Sequence, residues 1–115
     1  RTQRLHDLMA EPNPPTAIFC WRDWLAYAAL ECCETLAIQV PHRLTIVGYD
    51  GLQWPASTRH TAASVCVDLD ALADTAISLL LGYISGMEEE VVERIVPVFF
   101  MSGTTFGAAP NTDIP

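Results

Sequence analysis

Two apolar runs of strand length flank one helix-forming segment, and that succession restricts the fold more than any other feature. Thr16-Ala17-Ile18-Phe19-Cys20 is the first run and Leu44-Thr45-Ile46-Val47-Gly48 the second. Between them, from Asp23 to Ala37, Leu25, Ala29, Cys32, Cys33 and Leu36 recur at the helical period. Asp23 stands where an N-cap is wanted, and Pro41 breaks the chain before the second run. Strands that are apolar on both faces and separated by a helix predict a βαβ unit with a parallel sheet.

The flanking segments fit an α/β chain. Leu5, Leu8 and Met9 read as the last turns of a helix, which Pro12-Asn13-Pro14-Pro15 stops. A loop rich in turn formers, Pro55 to His60, leads to a third strand at Ala63-Ser64-Val65-Cys66-Val67. Asp68 is placed to cap a long helix carrying Leu69, Leu72, Ala76, Leu79, Leu80 and Tyr83, ended by Gly86. Glu88-Glu89-Glu90 reads as a solvated turn. Val96 to Met101 reads as a strand, with Pro97 pointing to an edge or irregular position, and the tail from Ala108 reads as loose.

Charge narrows the partners. Six Lys+Arg stand against fourteen Asp+Glu, a formal charge of −8, which repels phosphate backbones and anionic membranes. No run approaches the roughly 20 apolar residues that a membrane span needs. The amino-terminal Arg1-Thr2-Gln3-Arg4 leads into Asp7 rather than an apolar core, so it does not read as a signal peptide. The chain does not begin with Met, and the expectation is a piece of something longer. Cys20, Cys32, Cys33 and Cys66 match no zinc spacing, and adjacent Cys32 and Cys33 would bridge only with strain. Reduced, mostly buried thiols are expected, which favours the cytoplasm.

Ligands of open α/β sheets sit beyond the carboxyl ends of the strands. Those ends carry Trp21-Arg22-Asp23 and Tyr49-Asp50-Gly51. Carboxylates there accept from hydroxyls, and a guanidinium suits an oxyanion. Asp23 fits helix capping better than ligand contact, whereas Asp50 serves a turn or a ligand equally well, and Arg22 a ligand or solvent. No GxSxG elbow, GxGxxG fingerprint or phosphate-binding Walker loop is present. His6, His42 and His60 share no metal spacing. Neither an enzyme, a metal site nor a cofactor is expected.

The ordered series Pro15-Thr16-Ala17-Ile18-Phe19-Cys20, Asp23 with Leu25-Ala26 and Ala29-Leu30, Val40-Pro41, and Leu44 through Gly48-Tyr49-Asp50 resembles the LacI/GalR family of bacterial transcription regulators. The resemblance continues through the Asp68 helix and the Pro97 strand. It implies part of a type I periplasmic-binding-protein-like fold. Residues 1–62 would belong to the C-terminal lobe of an effector-binding core, 63–100 would return to the N-terminal lobe, and 101–115 would form a final strand and tail. It further implies a homodimer, with DNA reached only through a helix-turn-helix outside this chain. The effector would be a sugar, a sugar phosphate or a related polar metabolite, contacted by Asp50, Arg22 and Asp23. Two positions depart from the family pattern. Arg22 stands where Asn is usual, and Val67 where a Gln often holds sugar hydroxyls. The Arg either introduces a charge that favours an acidic effector, or turns outward or pairs with Asp23 or Asp50. Trp24 and Tyr27 fall on a helix face offset from the apolar stripe and are expected at the dimer interface, as in the matching helix of the family. The competing function is a solute-binding protein of a sugar transporter, which shares the core.

Overall fold

The computed structural model describes residues 2–87 and 90–111. Glu88 and Glu89 of the acidic run, and the tail from Thr112, lie outside the described residues. The elements run α1 (Thr2–Met9), β1 (Ala17–Phe19), α2 (Asp23–Thr35), β2 (Thr45–Asp50), β3 (Ala63–Val67), α3 (Leu69–Ile84) and β4 (Val98–Met101). The four strands form one sheet in the order β1-β2-β3-β4, with β1–β2 and β2–β3 parallel. This is the mixed α/β architecture with a parallel sheet that the alternating runs predict.

β1 and β2 pair in parallel register over three residues. Ala17, Ile18 and Phe19 pair with Thr45, Ile46 and Val47. Hydrogen bonding continues past both ends of β1: the Thr45 N–H donates to the Thr16 carbonyl at 2.9 Å, and the Cys20 N–H to the Val47 carbonyl at 2.7 Å. β2 begins one residue later than the apolar run and extends through Tyr49 to Asp50, which carries the ladder to the site.

The chain divides into two compact units. The larger comprises residues up to Cys66 and from Phe100 onward; the smaller is Val67–Phe99. In the larger unit α2 lies on β2, with Ala26, Leu30 and Cys33 buried beside Leu44 and Ile46, and α1 adds Leu5. The core stripe of α2 is therefore Asp23, Ala26, Tyr27, Leu30 and Cys33. Of the expected stripe of Leu25, Ala29, Cys32, Cys33 and Leu36, only Cys33 lies in this core; the other four are partly buried on the flank. Small Ala26 and Gly48 explain the choice, because they let helix and strand approach closely. A Cβ at Gly48 would collide with the Asp23 carboxylate and meet Ala26 Cβ at 3.2 Å. Thr105 closes the unit. Fully buried, it donates its hydroxyl to the Ile46 carbonyl (2.6 Å) and accepts from the Ala63 N–H (2.7 Å).

In the smaller unit Asp68 caps α3 by accepting from the Ala71 N–H at 3.0 Å, as its position predicts. The Tyr83 hydroxyl donates to the Glu90 carbonyl and accepts from the Val92 N–H, each at 2.8 Å. No residue of α3 is buried, so its leucines remain open along the helix.

Candidate functional site at the carboxyl ends of β1 and β2

The carboxyl end of β2 is set in an uncommon backbone shape. Asp50 has φ 105°, a conformation that costs a non-glycine residue about 1–3 kcal/mol, and Gly51 follows at φ 82°. Glycine is required at 51 both for its sign of φ and for space, since a Cβ there would sit 2.7 Å from Cys66 Sγ. The surrounding hydrogen bonds hold this turn. The Gly51 N–H donates to Ser64 Oγ (3.0 Å), and Ser64 donates its hydroxyl to Asp23 Oδ1 (2.7 Å). The Leu52 N–H donates to Asp23 Oδ2 (2.5 Å).

Asp23 is thus a buried brace, 3% exposed, with both oxygens occupied inside the unit. Its reading as an N-cap is corrected. The cap position is Arg22, in extended conformation and without a side-chain cap bond, and Asp23 is the first helical residue. From there its carboxylate reaches across to the β2 turn and to β3 instead of bonding the helix's own N–H groups. Ser64 was missed by sequence reasoning, although one signal existed: a lone hydroxyl in the otherwise apolar run from Ala63 to Val67.

Arg22 and Asp50 do come together. Arg22 Nη1 donates to Asp50 Oδ2 at 3.3 Å, with the two side chains 51% and 28% exposed. The guanidinium carbon lies 4.8 Å from the centre of the Trp21 ring, so Arg22 is steered from one side by an aromatic face and from the other by a carboxylate. Trp21 and Trp54 are both exposed large apolar side chains. The arrangement offers a partly exposed carboxylate with free lone pairs on the β2 turn and an exposed guanidinium with unused donors at the start of α2.

Tyr27, expected at an interface, is 6% exposed and packs in the core of its own unit, where its hydroxyl accepts from the Ala62 N–H at 3.3 Å. That expectation is corrected. α2 is apolar on nearly every side, so periodicity alone does not select the face that the sheet covers. Trp24 is half-buried. Cys20, Cys33 and Cys66 are buried, Cys32 is half-buried, and all four are free. Burial pushes the thiols of Cys20 and Cys33 up to about 11. Among the described residues no group of three His, Cys, Asp or Glu side chains is placed to hold a metal ion, and no helix is long and apolar enough to cross a membrane.

A family model described as a periplasmic binding protein-like domain matches residues 1–104. The HTH-type transcriptional repressor PurR of Escherichia coli is 28% identical over 86 residues, which are 75% of this chain and 25% of the repressor. The chain therefore spans about a quarter of the length of the curated relatives it matches. Among solved structures, a xylose-binding transcription activator superposes with a TM-score of 0.77 at 28% identity, covering 97% of this chain and 30% of that one. The dimeric Lac repressor gives a TM-score of 0.79 at 23% identity over 96% of this chain and 40% of its own, a likeness of fold. The relatives carry the resemblance read from the ordered motifs.

Proposed function

The chain belongs to the periplasmic binding protein-like domain family, and from that premise we propose that it is the effector-binding and dimerising region of a LacI/GalR-type transcription regulator, cytoplasmic and without enzymatic activity. The observation that carries this reading is Asp50. It is held at φ 105° by Gly51, Ser64 and Asp23, and its partly exposed carboxylate lies beside Arg22. A protein keeps a costly backbone shape where a side chain must be presented in one direction. Asp50 accepts from effector hydroxyl or N–H groups, Arg22 donates to an effector oxyanion, and Asp23 acts by positioning the turn. The curated relatives are named as repressors, and one solved relative is named as xylose-binding, which supports a polar metabolite as effector.

In this reading residues 1–62 belong to one lobe and 63–100 return to the other. The uncovered apolar side chains of α3 support assigning that segment to a lobe completed by other parts of a regulator. Effector binding favours one lobe arrangement through its different affinity for the two states, and the helix-turn-helix outside this chain reads that difference as DNA affinity. A thermal-shift screen of the complete regulator against sugars, sugar phosphates and nucleosides tests the proposal. A true effector at 100 times its dissociation constant adds about 2.7 kcal/mol, and it changes operator affinity. A complete protein that binds none of these classes, or binds one without any change in DNA affinity, is not such a regulator.

A further inference from the structure

Away from Asp50, at the amino end of β2, the larger unit holds a recess of about 590 Å³, a volume within the range of small-molecule sites. It is lined by the C-terminal end of α2, the connection through Gln39 and His42, and the Ser57–His60 loop. β2 separates it from the Arg22–Asp50 pair by six residues, about 20 Å of strand.

Its wall, which includes Glu34, is tied to the loop through one oxygen of each of two carboxylates. Glu34 Oε1 accepts from the Thr58 hydroxyl at 2.8 Å and from the Arg59 N–H at 3.4 Å. The Thr58 bond foremost holds the Glu34 carboxyl below the usual range. Glu31 accepts from the Ser57 N–H at 2.7 Å, and His60 Nδ1 lies 3.2 Å from Thr104 Oγ1. After these bonds, the Arg59 guanidinium and the His42 imidazole have no hydrogen bond or ion pair among the described residues, although both line the recess. Arg59 is not within ion-pair distance of Glu34, although its charge and that of His60 help to lower the Glu34 carboxyl. A chain of net charge −8 thus gathers one arginine and two of its three histidines into one concave place.

We propose that this recess is a second small-molecule site, taking the phosphate or carboxylate group of a polar metabolite on Arg59 and His42, with the pinned His60 beside them. A planar guanidinium is suited to bidentate capture of an oxyanion, and an imidazole supplies a further N–H. The site does not depend on the effector reading, because it shares no residue with the Arg22–Asp50 pair.

The test is a titration of the complete protein with inorganic phosphate and, separately, citrate at one fixed, near-neutral pH. Ionic strength is matched with sodium chloride, and the histidine Cε1–H resonances are followed. Saturable shifts of His42 and His60, but not His6, are expected with at least one of the two anions. Arg59→Gln weakens that binding about tenfold, and Arg22→Asn leaves it unchanged. The proposal is overturned if neither anion gives saturable shifts at His42 and His60, if His6 follows them, or if Arg59→Gln binds as the unaltered protein does. Failure at Arg59 with retained effector binding at Asp50 removes only this site; the reverse removes only the effector reading.

Discussion

At the scale of single residues, the proposed effector roles of Asp50 and Arg22 can be separated from stability. Asparagine tolerates positive φ better than most residues, so Asp50→Asn keeps the turn while removing the charge. Its unfolding free energy is expected to stay within about 0.5 kcal/mol of the parent. Effector affinity falls ten- to hundred-fold, the equivalent of about 1.5–3 kcal/mol for a charged acceptor. Calorimetry beside a denaturant melt checks both, and unchanged affinity takes Asp50 out of the site. Arg22 is held between the Trp21 ring and Asp50, so its orientation is set before a ligand arrives. Arg22→Asn is expected to weaken an acidic effector by at least about tenfold more than its neutral analogue. Equal losses for the two ligands would show that the guanidinium serves the Asp50 turn and not the ligand's charge.

Among the elements, the contact that most decides packing comes from far along the chain. Thr105 bridges β2 and β3 where their pairing begins, and its one hydroxyl serves the Ala63 N–H and the Ile46 carbonyl, 42 and 59 residues away. Valine has the same shape and no hydroxyl. Thr105→Val therefore leaves the buried Ala63 N–H without its partner and is expected to destabilise by about 1–3 kcal/mol. Thr105→Ser, which keeps the hydroxyl, should lose less in a urea melt; a larger loss for Ser than for Val would assign Thr105 to methyl packing instead. At the other end of α2, Ala37 takes φ 53° after the Leu36 C-cap, a place where glycine is usual. The apolar pattern runs on to Ala37, yet the helix ends at Thr35, because hydrophobic periodicity does not register the chain's left-handed exit.

For the molecule as a whole, two bulk properties follow. Cys20 and Cys33 are raised from an ordinary 9 to about 11 by burial. Unfolding lowers them again, so the unfolded chain releases protons first as pH rises. Their contribution to stability is complete below about pH 9 and is lost towards pH 11. Urea midpoints across that range should fall more steeply for the parent than for a Cys20→Ala, Cys33→Ala variant; parallel curves would show that the thiols are not the cause. The second property is assembly. With Tyr27 buried in its own unit, the proposed interface on α2 rests on Trp24. If the complete protein dimerises through α2 as proposed, Trp24→Ala converts that dimer to a folded monomer in sedimentation at micromolar concentration. A variant that remains dimeric places the interface on another surface.

Hydrophobic period, turn residues and caps are local, and they determined the α/β class, the parallel β1–β2 pairing, the Asp68 cap and the placing of Arg22 and Asp50 at strand ends. Each is a choice that a few neighbouring residues make among a small set of backbone shapes. The covered side of α2 was not local, because several of its sides are apolar; the close approach at Gly48 selected the side carrying Tyr27. Asp23 likewise had the right chemistry for a cap, and only the nearness of Ser64 and the Leu52 N–H turned it into a brace. Thr105 carries no sign of its role in its own surroundings. Its partners become neighbours only after the strands pair, so tertiary structure alone decides which distant donors and acceptors meet.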